Sequence, residues 1–220
     1  MIDLPLLMTD LARVRPLFHS EADFQLALAW AWQRRNPAAA IRLEYRLPLE
    51  LERGYADLWV READETSYGE LKYWTHKLEV DVGDERFALA DQAAQDLSRY
   101  DFIRDLARVE RVVATGRAAR GFVLALTNDQ GFWNAPRRGT IDEAFRLHEG
   151  RVLSGSLAWD RRASAGTTTG RTGVLDLRGW YACTWRNYSD VGGAGRGEFR
   201  YLLLPVTRET SSPDDFAPAS

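Results

Sequence analysis

The sequence predicts an α/β protein with a mixed central sheet and a β-rich extension toward its C-terminal end. Three observations carry that prediction. A capped amphipathic stretch begins near residue 20. Three β-prone segments then precede a long stretch without proline or glycine. After it comes a nearly continuous apolar run, Gly121-Phe122-Val123-Leu124-Ala125-Leu126.

Ser20-Glu21-Ala22-Asp23 reads as a capping box, and Phe24, Leu28, Ala31 and Trp32 follow at helical spacing as far as Asn36-Pro37. A first helix over roughly 20–35 is expected. Segments at roughly 41–47, 55–60 and 68–74 are β-prone and divided by turn-like stretches, the pattern of a strand meander. No proline or glycine occurs from Phe87 to Val113, and Ala93, Leu97, Tyr100, Ile103, Leu106 and Val113 recur on one side. That predicts a long helix covering the sheet. The apolar run at Gly121, ending at Thr127-Asn128-Asp129, reads as a strand buried on both faces.

Farther on, Thr140-Ile141-Asp142-Glu143 is expected to cap a short helix. β-like runs follow at roughly 151–159, 174–177, 180–188 and 199–206. The Thr/Gly-rich stretch from Ala163 to Gly173 and the Gly-rich stretch from Asp190 to Gly197 read as loops. Neither is followed by G-K-[ST], which excludes a phosphate-binding P-loop. The expected organisation is one domain over residues 1–206, with a core at about 20–129, the extension at about 140–206, and a mobile polar tail over 207–220.

Composition sets the bounds. A chain of 220 residues with 45% hydrophobic content can fill one core. The formal charge of -3 gives no global positive field, so a nucleic-acid site would have to be a local basic patch. The single cysteine, Cys183, excludes an intramolecular disulfide. The opening residues lack a signal-peptide pattern and no apolar run is long enough to span a bilayer, so a cytoplasmic protein without membrane partners is expected. Of the 29 basic residues only two, Lys72 and Lys77, are lysine. A lysine in so arginine-rich a chain is either accidental or marks a place where a compact ammonium is needed and a planar guanidinium does not serve.

Glu70-Leu71-Lys72 lies in the third predicted strand, where the period of two sets Glu70 and Lys72 on one face. Asp57 belongs to the neighbouring strand among Tyr55, Ala56, Leu58 and Trp59. An unpaired carboxylate is costly in such apolar company and calls for a partner. Mg²⁺ is a suitable one, since it takes one or two carboxylates with waters and substrate phosphate. Asp57, Glu70 and the Leu71 carbonyl supply the protein share. Such an ion neutralises charge that grows in phosphodiester hydrolysis and lowers the pKa of bound water, with Lys72 orienting or helping to deprotonate that water.

These residues and this order of elements resemble the PD-(D/E)XK nuclease superfamily over roughly residues 20–129. The resemblance implies a restriction-endonuclease-like αβββαβ core. It also implies an acid on the first helix, an aspartate on the second strand and (D/E)-x-K on the third. The matching positions are Glu21, Asp57, Glu70 and Lys72, with Glu21 joining Asp57, Glu70 and Leu71 as a metal ligand. Many members carry a glutamine on the following helix; Gln92 and Gln95 are candidates, and Gln95 is taken as the site residue. Ala56-Asp57 stands where the family has Pro-Asp. Mg²⁺, replaceable by Mn²⁺, and a nucleic-acid substrate, DNA by family habit, follow from the resemblance.

Other residues read more plainly. Arg104, Arg108 and Arg111 form a helical stripe that either tracks a phosphate backbone or, paired with Asp105 and Glu110, is a solvated face, the favoured reading. Trp133, Trp159, Trp180 and Trp185 fit the core better than base stacking. Arg137-Arg138 and Arg161-Arg162 are loop cations suited to phosphate or to solubility. His19, His76 and His148 are dispersed without a cysteine cluster, which speaks against zinc. No G-x-S-x-G elbow is present, and Cys183 has no histidine nearby in sequence. The expected function is a metal-dependent nuclease. The weak net charge points to help from a homodimer or a partner subunit. The alternative is a non-catalytic nucleic-acid-binding or scaffold subunit of a restriction or defence complex.

Overall fold

The computed structural model describes residues 2–46, 54–92, 94–136, 139–193 and 195–208. Leu47 of the first expected strand, the Arg137-Arg138 pair and all but two residues of the expected tail lie outside these. The order is α1 (Leu4–Val14), α2 (Glu21–Arg35), β1 (Ala40–Arg46), β2 (Tyr55–Glu62), β3 (Glu65–Trp74), β4 (Leu78–Val82), β5 (Glu85–Leu89), α3 (Gln95–Ala114) and β6 (Arg120–Thr127). A 3-10 turn at Glu143–Phe145 follows, then β7 (Val152–Leu157), α4 (Ala165–Thr168), β8 (Leu175–Ala182), β9 (Trp185–Asp190) and β10 (Glu198–Thr207).

The protein is α/β with a mixed six-stranded central sheet in the order β1-β2-β3-β6-β10-β9. β1, β2 and β3 are an antiparallel meander, and β3 and β6 are parallel. A parallel pair needs a crossover, and α3 provides it. α2 begins where the sequence predicts: the Ser20 side chain accepts from the Asp23 N–H, and Glu21 and Asp23 lie in the first turn. It buries Phe24, Leu28 and Trp32 with Leu7, Met8 and Leu11 of α1 against one face of the sheet, where Leu71, Tyr73, Leu124 and Leu126 meet them. α3 lays Phe102, Ile103, Leu106, Val109 and Val113 on the other face, over Val123 and Ala125. β6 is thus buried on both faces, as its apolar run predicts. A Cβ on Gly121 would stand 2.2 Å from Val109 Cγ1, so this glycine lets α3 settle close to the sheet.

Three expectations need correction. Phe87 to Leu89 belongs to β5, paired with β4 through a turn at Gly83 (φ +61), and the helix starts only at Gln95. A lack of helix breakers is not itself a helix signal. α1 was not expected from the sequence. In the extension, β9 and β10 join the central sheet beside β6, while β7 and β8 form a separate ribbon over α3. Among the described residues, no helix is long and apolar enough to cross a membrane.

Candidate active site

The meander parts company at one point. β2 and β3 are paired over Leu58–Glu62 and Glu65–Gly69, but β3 runs on to Trp74, paired among the described residues with β6 alone. The edge of β3 facing away from β6 therefore presents N–H groups that need acceptors. Two carboxylates take them. The Leu71 N–H donates to Asp57 Oδ2 at 2.6 Å, and the Tyr73 N–H to Glu21 Oε2 at 2.8 Å. N–H and C=O of one strand residue point to the same edge, so the Leu71 carbonyl belongs to this open edge as well.

Local backbone strain turns Asp57 inward. Glu44, opposite it in β1, has φ 49°, a left-handed conformation uncommon outside glycine. Around this point the alternation of β2 breaks: Leu58 packs on the α2 side of the sheet, while Ala56 packs on the α3 side. Gln25 of α2 clamps the kink, its Nε2 donating to the Asp57 carbonyl at 2.6 Å and to Glu44 Oε1 at 3.0 Å.

Glu70 and Lys72 point toward α3. Glu70 is 1% exposed and accepts from Arg108, at 2.7 Å from Nη2 and 3.3 Å from Nε. Lys72 Nζ meets Asp105 Oδ2 at 3.0 Å, and Arg108 Nη2 meets Asp105 Oδ1 at 2.9 Å. The site thus holds four acids, Glu21, Asp57, Glu70 and Asp105, about two cations, Lys72 and Arg108.

The electrostatics reflect that imbalance. Burial raises the Glu70 pKa well above the ordinary carboxylate range; Asp105 and Asp57 push in the same direction and Arg108 opposes. Burial likewise raises Asp57 and Glu21, with Lys72 lowering both. For Lys72 burial works against the ammonium, yet Asp105, Asp57 and Glu21 together outweigh it and hold its pKa above the ordinary lysine value. Lys72 is then a proton donor.

Glu21, Asp57, Glu70 and Lys72 lie within electrostatic reach of one another around β3. Gln95 does not join them. It lies at the start of α3, ten residues before Asp105, and donates to Asp129 while its Oε1 accepts from Arg99 Nη2 at 2.9 Å. Arg99 also donates to Asp142 Oδ2 at 2.8 Å and to the Gly131 carbonyl at 2.7 Å. Gln95 is a member of this buried polar network.

Sequence reasoning missed Gln25 and Glu44, and it took Asp105 and Arg108 for a solvated face. The register of α3 held a signal for Asp105: it falls between Phe102 and Val109 on the stripe that faces the core.

Metal fit can be tested on the donor set. Among the described residues, no three His, Cys, Asp or Glu side chains stand grouped as a metal cage. Two carboxylates and a carbonyl with waters meet the modest protein share that Mg²⁺ needs, and Asp57 and Glu21 are each steered by a backbone bond. The residues match such an ion in donor type, while Glu70 is taken up by Arg108. Comparison with family models, curated proteins and solved structures finds no match to this chain.

Proposed function

We propose that this protein is a divalent-metal-dependent nuclease of the PD-(D/E)XK type with a restriction-endonuclease-like core, hydrolysing phosphodiester bonds of nucleic acid, DNA before RNA, in the cytoplasm. The observation that carries the reading is the charge excess at the fork of β2 and β3. Four carboxyl groups crowd two cations around the nearly unexposed Glu70, more acid than those cations hold readily ionised, and the raised pKa of Glu70 reflects it. Buried charge without a counterion is costly, and a divalent cation has the missing charge. The order α2, β1, β2, β3, α3, β6, with the β4–β5 hairpin inserted before α3, supports the reading, as does the neighbourhood of Glu70 and Lys72 on β3.

Asp57, Glu70 and the Leu71 carbonyl would hold Mg²⁺ or Mn²⁺, with Glu21 reaching it directly or through water. When bound, the ion would neutralise phosphate charge and acidify a water. The chain's own residues do the rest. Asp105 anchors Lys72, and the Lys72 ammonium orients the attacking water and donates to developing negative charge. Arg108 sits beside Glu70, within reach of a phosphate drawn into the fork.

A second reading has its own support. Glu70 is engaged by Arg108, and Asp57 and Glu21 cap backbone N–H groups, so the cluster also serves as a structural polar network. On that reading the chain is a non-catalytic nucleic-acid-binding or scaffold subunit of a restriction or defence assembly. Mg²⁺ and Mn²⁺ titration calorimetry beside cleavage assays on plasmid and single-stranded DNA separates the two. Metal uptake with cleavage supports the nuclease; nucleic-acid binding without either supports the scaffold.

A further inference from the structure

Among the described residues, the face of the sheet that carries Glu70 is only partly covered by helix. α3 packs on β3 and β6 and makes no substantial contact with β1 or β2. On that uncovered margin three aromatic rings lie together. Tyr45 stacks on Trp59 with centroids 5.1 Å apart and planes at 16°, and it meets Tyr68 edge-on at 6.1 Å. Trp59 is directly opposite Tyr68 in the β2–β3 register, two residues from Asp57 along β2; Tyr68 is two residues from Glu70 along β3. The strained Glu44 makes the platform possible, because the break in alternation there brings Tyr45 alongside Trp59.

Tyr68 is buried, but the other two rings are not sealed. Tyr45 is 37% exposed and Trp59 half-buried. Cations surround them: the Arg61 guanidinium lies 5.8 Å from the Trp59 ring, exposed Arg42 pairs with Trp59 across the ladder, and Arg117 acts on the Tyr68 hydroxyl. Glu44, the nearby acid of β1, is taken up by Gln25. Exposed stacked aromatics among arginines, beside an acid cluster, have the chemistry of a single-strand platform. Flat rings take the bases and the cations take the backbone.

We propose that Tyr45 and Trp59 form a stacking platform for unpaired bases, so that the substrate enters the β2–β3 fork as a single strand or a frayed end. This inference rests on the nuclease reading for its substrate and deepens it. A duplex keeps its base faces covered and has nothing to stack on Tyr45.

Fluorescence anisotropy in EDTA tests the platform without metal, using an end-labelled thymidine oligonucleotide of about a dozen residues and a duplex of equal length. The intact protein is expected to bind the single strand more tightly than the duplex. Tyr45→Ala should weaken single-strand binding on the order of tenfold and Tyr45→Phe should restore it, because the ring does the stacking. Arg61→Gln should flatten the salt dependence of binding. Preference for duplex, or unchanged single-strand affinity in a folded Tyr45→Ala variant, overturns the platform. Mg²⁺-dependent cleavage of the same oligonucleotide is read separately. Tyr45-dependent binding without cleavage leaves the platform standing and removes the nuclease; cleavage indifferent to Tyr45→Ala does the reverse.

Discussion

One carboxylate, Asp105, holds two cations: Oδ2 meets Lys72 Nζ at 3.0 Å and Oδ1 meets Arg108 Nη2 at 2.9 Å. Asp105 is 4% exposed, so these contacts are shielded from solvent and fix both side chains over β3. Asp105→Asn keeps the shape but removes the charge that anchors the ammonium. The expected result is a loss of cleavage on the order of tenfold to a hundredfold with metal affinity changed less, measured by single-turnover rates beside calorimetry. Wild-type rates in the variant would mean that Lys72 needs no anchor.

Arg108 and a divalent cation compete for Glu70. Arg108→Gln should raise Mn²⁺ affinity on the order of tenfold, since a neighbouring positive charge is lost. The same change should lower stability by about 1–3 kcal/mol, because Glu70 loses a charge-assisted partner. Titration calorimetry and thermal unfolding check the two halves. Weaker metal binding in the variant would show that Arg108 supports the ion.

Asp57→Ala is a poor probe of metal binding, because it also strips the acceptor from the Leu71 N–H, at about 1–3 kcal/mol. Asp57→Asn retains an acceptor and loses the charge. It should unfold near the wild-type temperature yet lose divalent binding and cleavage. Retained cleavage in Asp57→Asn removes Asp57 from the site.

Lys72→Arg should lose most activity while Lys77→Arg stays near wild type. Lys77 is exposed beyond the end of β3, whereas the Lys72 side chain is 20% exposed in a space shaped around Asp105. A wide planar fork does not reproduce a compact ammonium there. Equal cleavage rates for the two variants would make Lys72 a structural cation only.

Gln95→Ala and Arg99→Ala should act on stability and leave Mn²⁺ affinity as it is. Arg99 and Asp142 form a buried pair with side chains 2% and 3% exposed, so losing Arg99 should cost about 3–5 kcal/mol. Gln95→Ala should cost about 1 kcal/mol. A large drop in metal affinity for a folded Gln95→Ala would return Gln95 to the site.

Local signals made much of this protein legible. The Ser20 cap, the apolar run at Gly121 and the period-two triplet Glu70-Leu71-Lys72 each act within a few residues, and each appears in the structure. What stayed hidden depends on distant partners. Asp105 and Arg108 look like a surface i, i+3 pair until β3 is set beneath them. The insertion of β10 beside β6 is a matter of strand order, which no local pattern encodes. The family resemblance puts Gln95 in the site by its place on the helix after β3, but its partner Asp129, and the Asp142 held by its other partner Arg99, come from beyond β6. Trp59 looked like one more sheet residue because its exposure depends on where α3 stops covering the sheet.

The most direct test of the charge-deficient fork is Mn²⁺ titration calorimetry of the wild-type protein and the Asp57→Asn/Glu70→Gln double variant. The account predicts saturable Mn²⁺ uptake by the wild type and none by the folded double variant. Absence of uptake by the wild type, or equal uptake by both proteins, would contradict it.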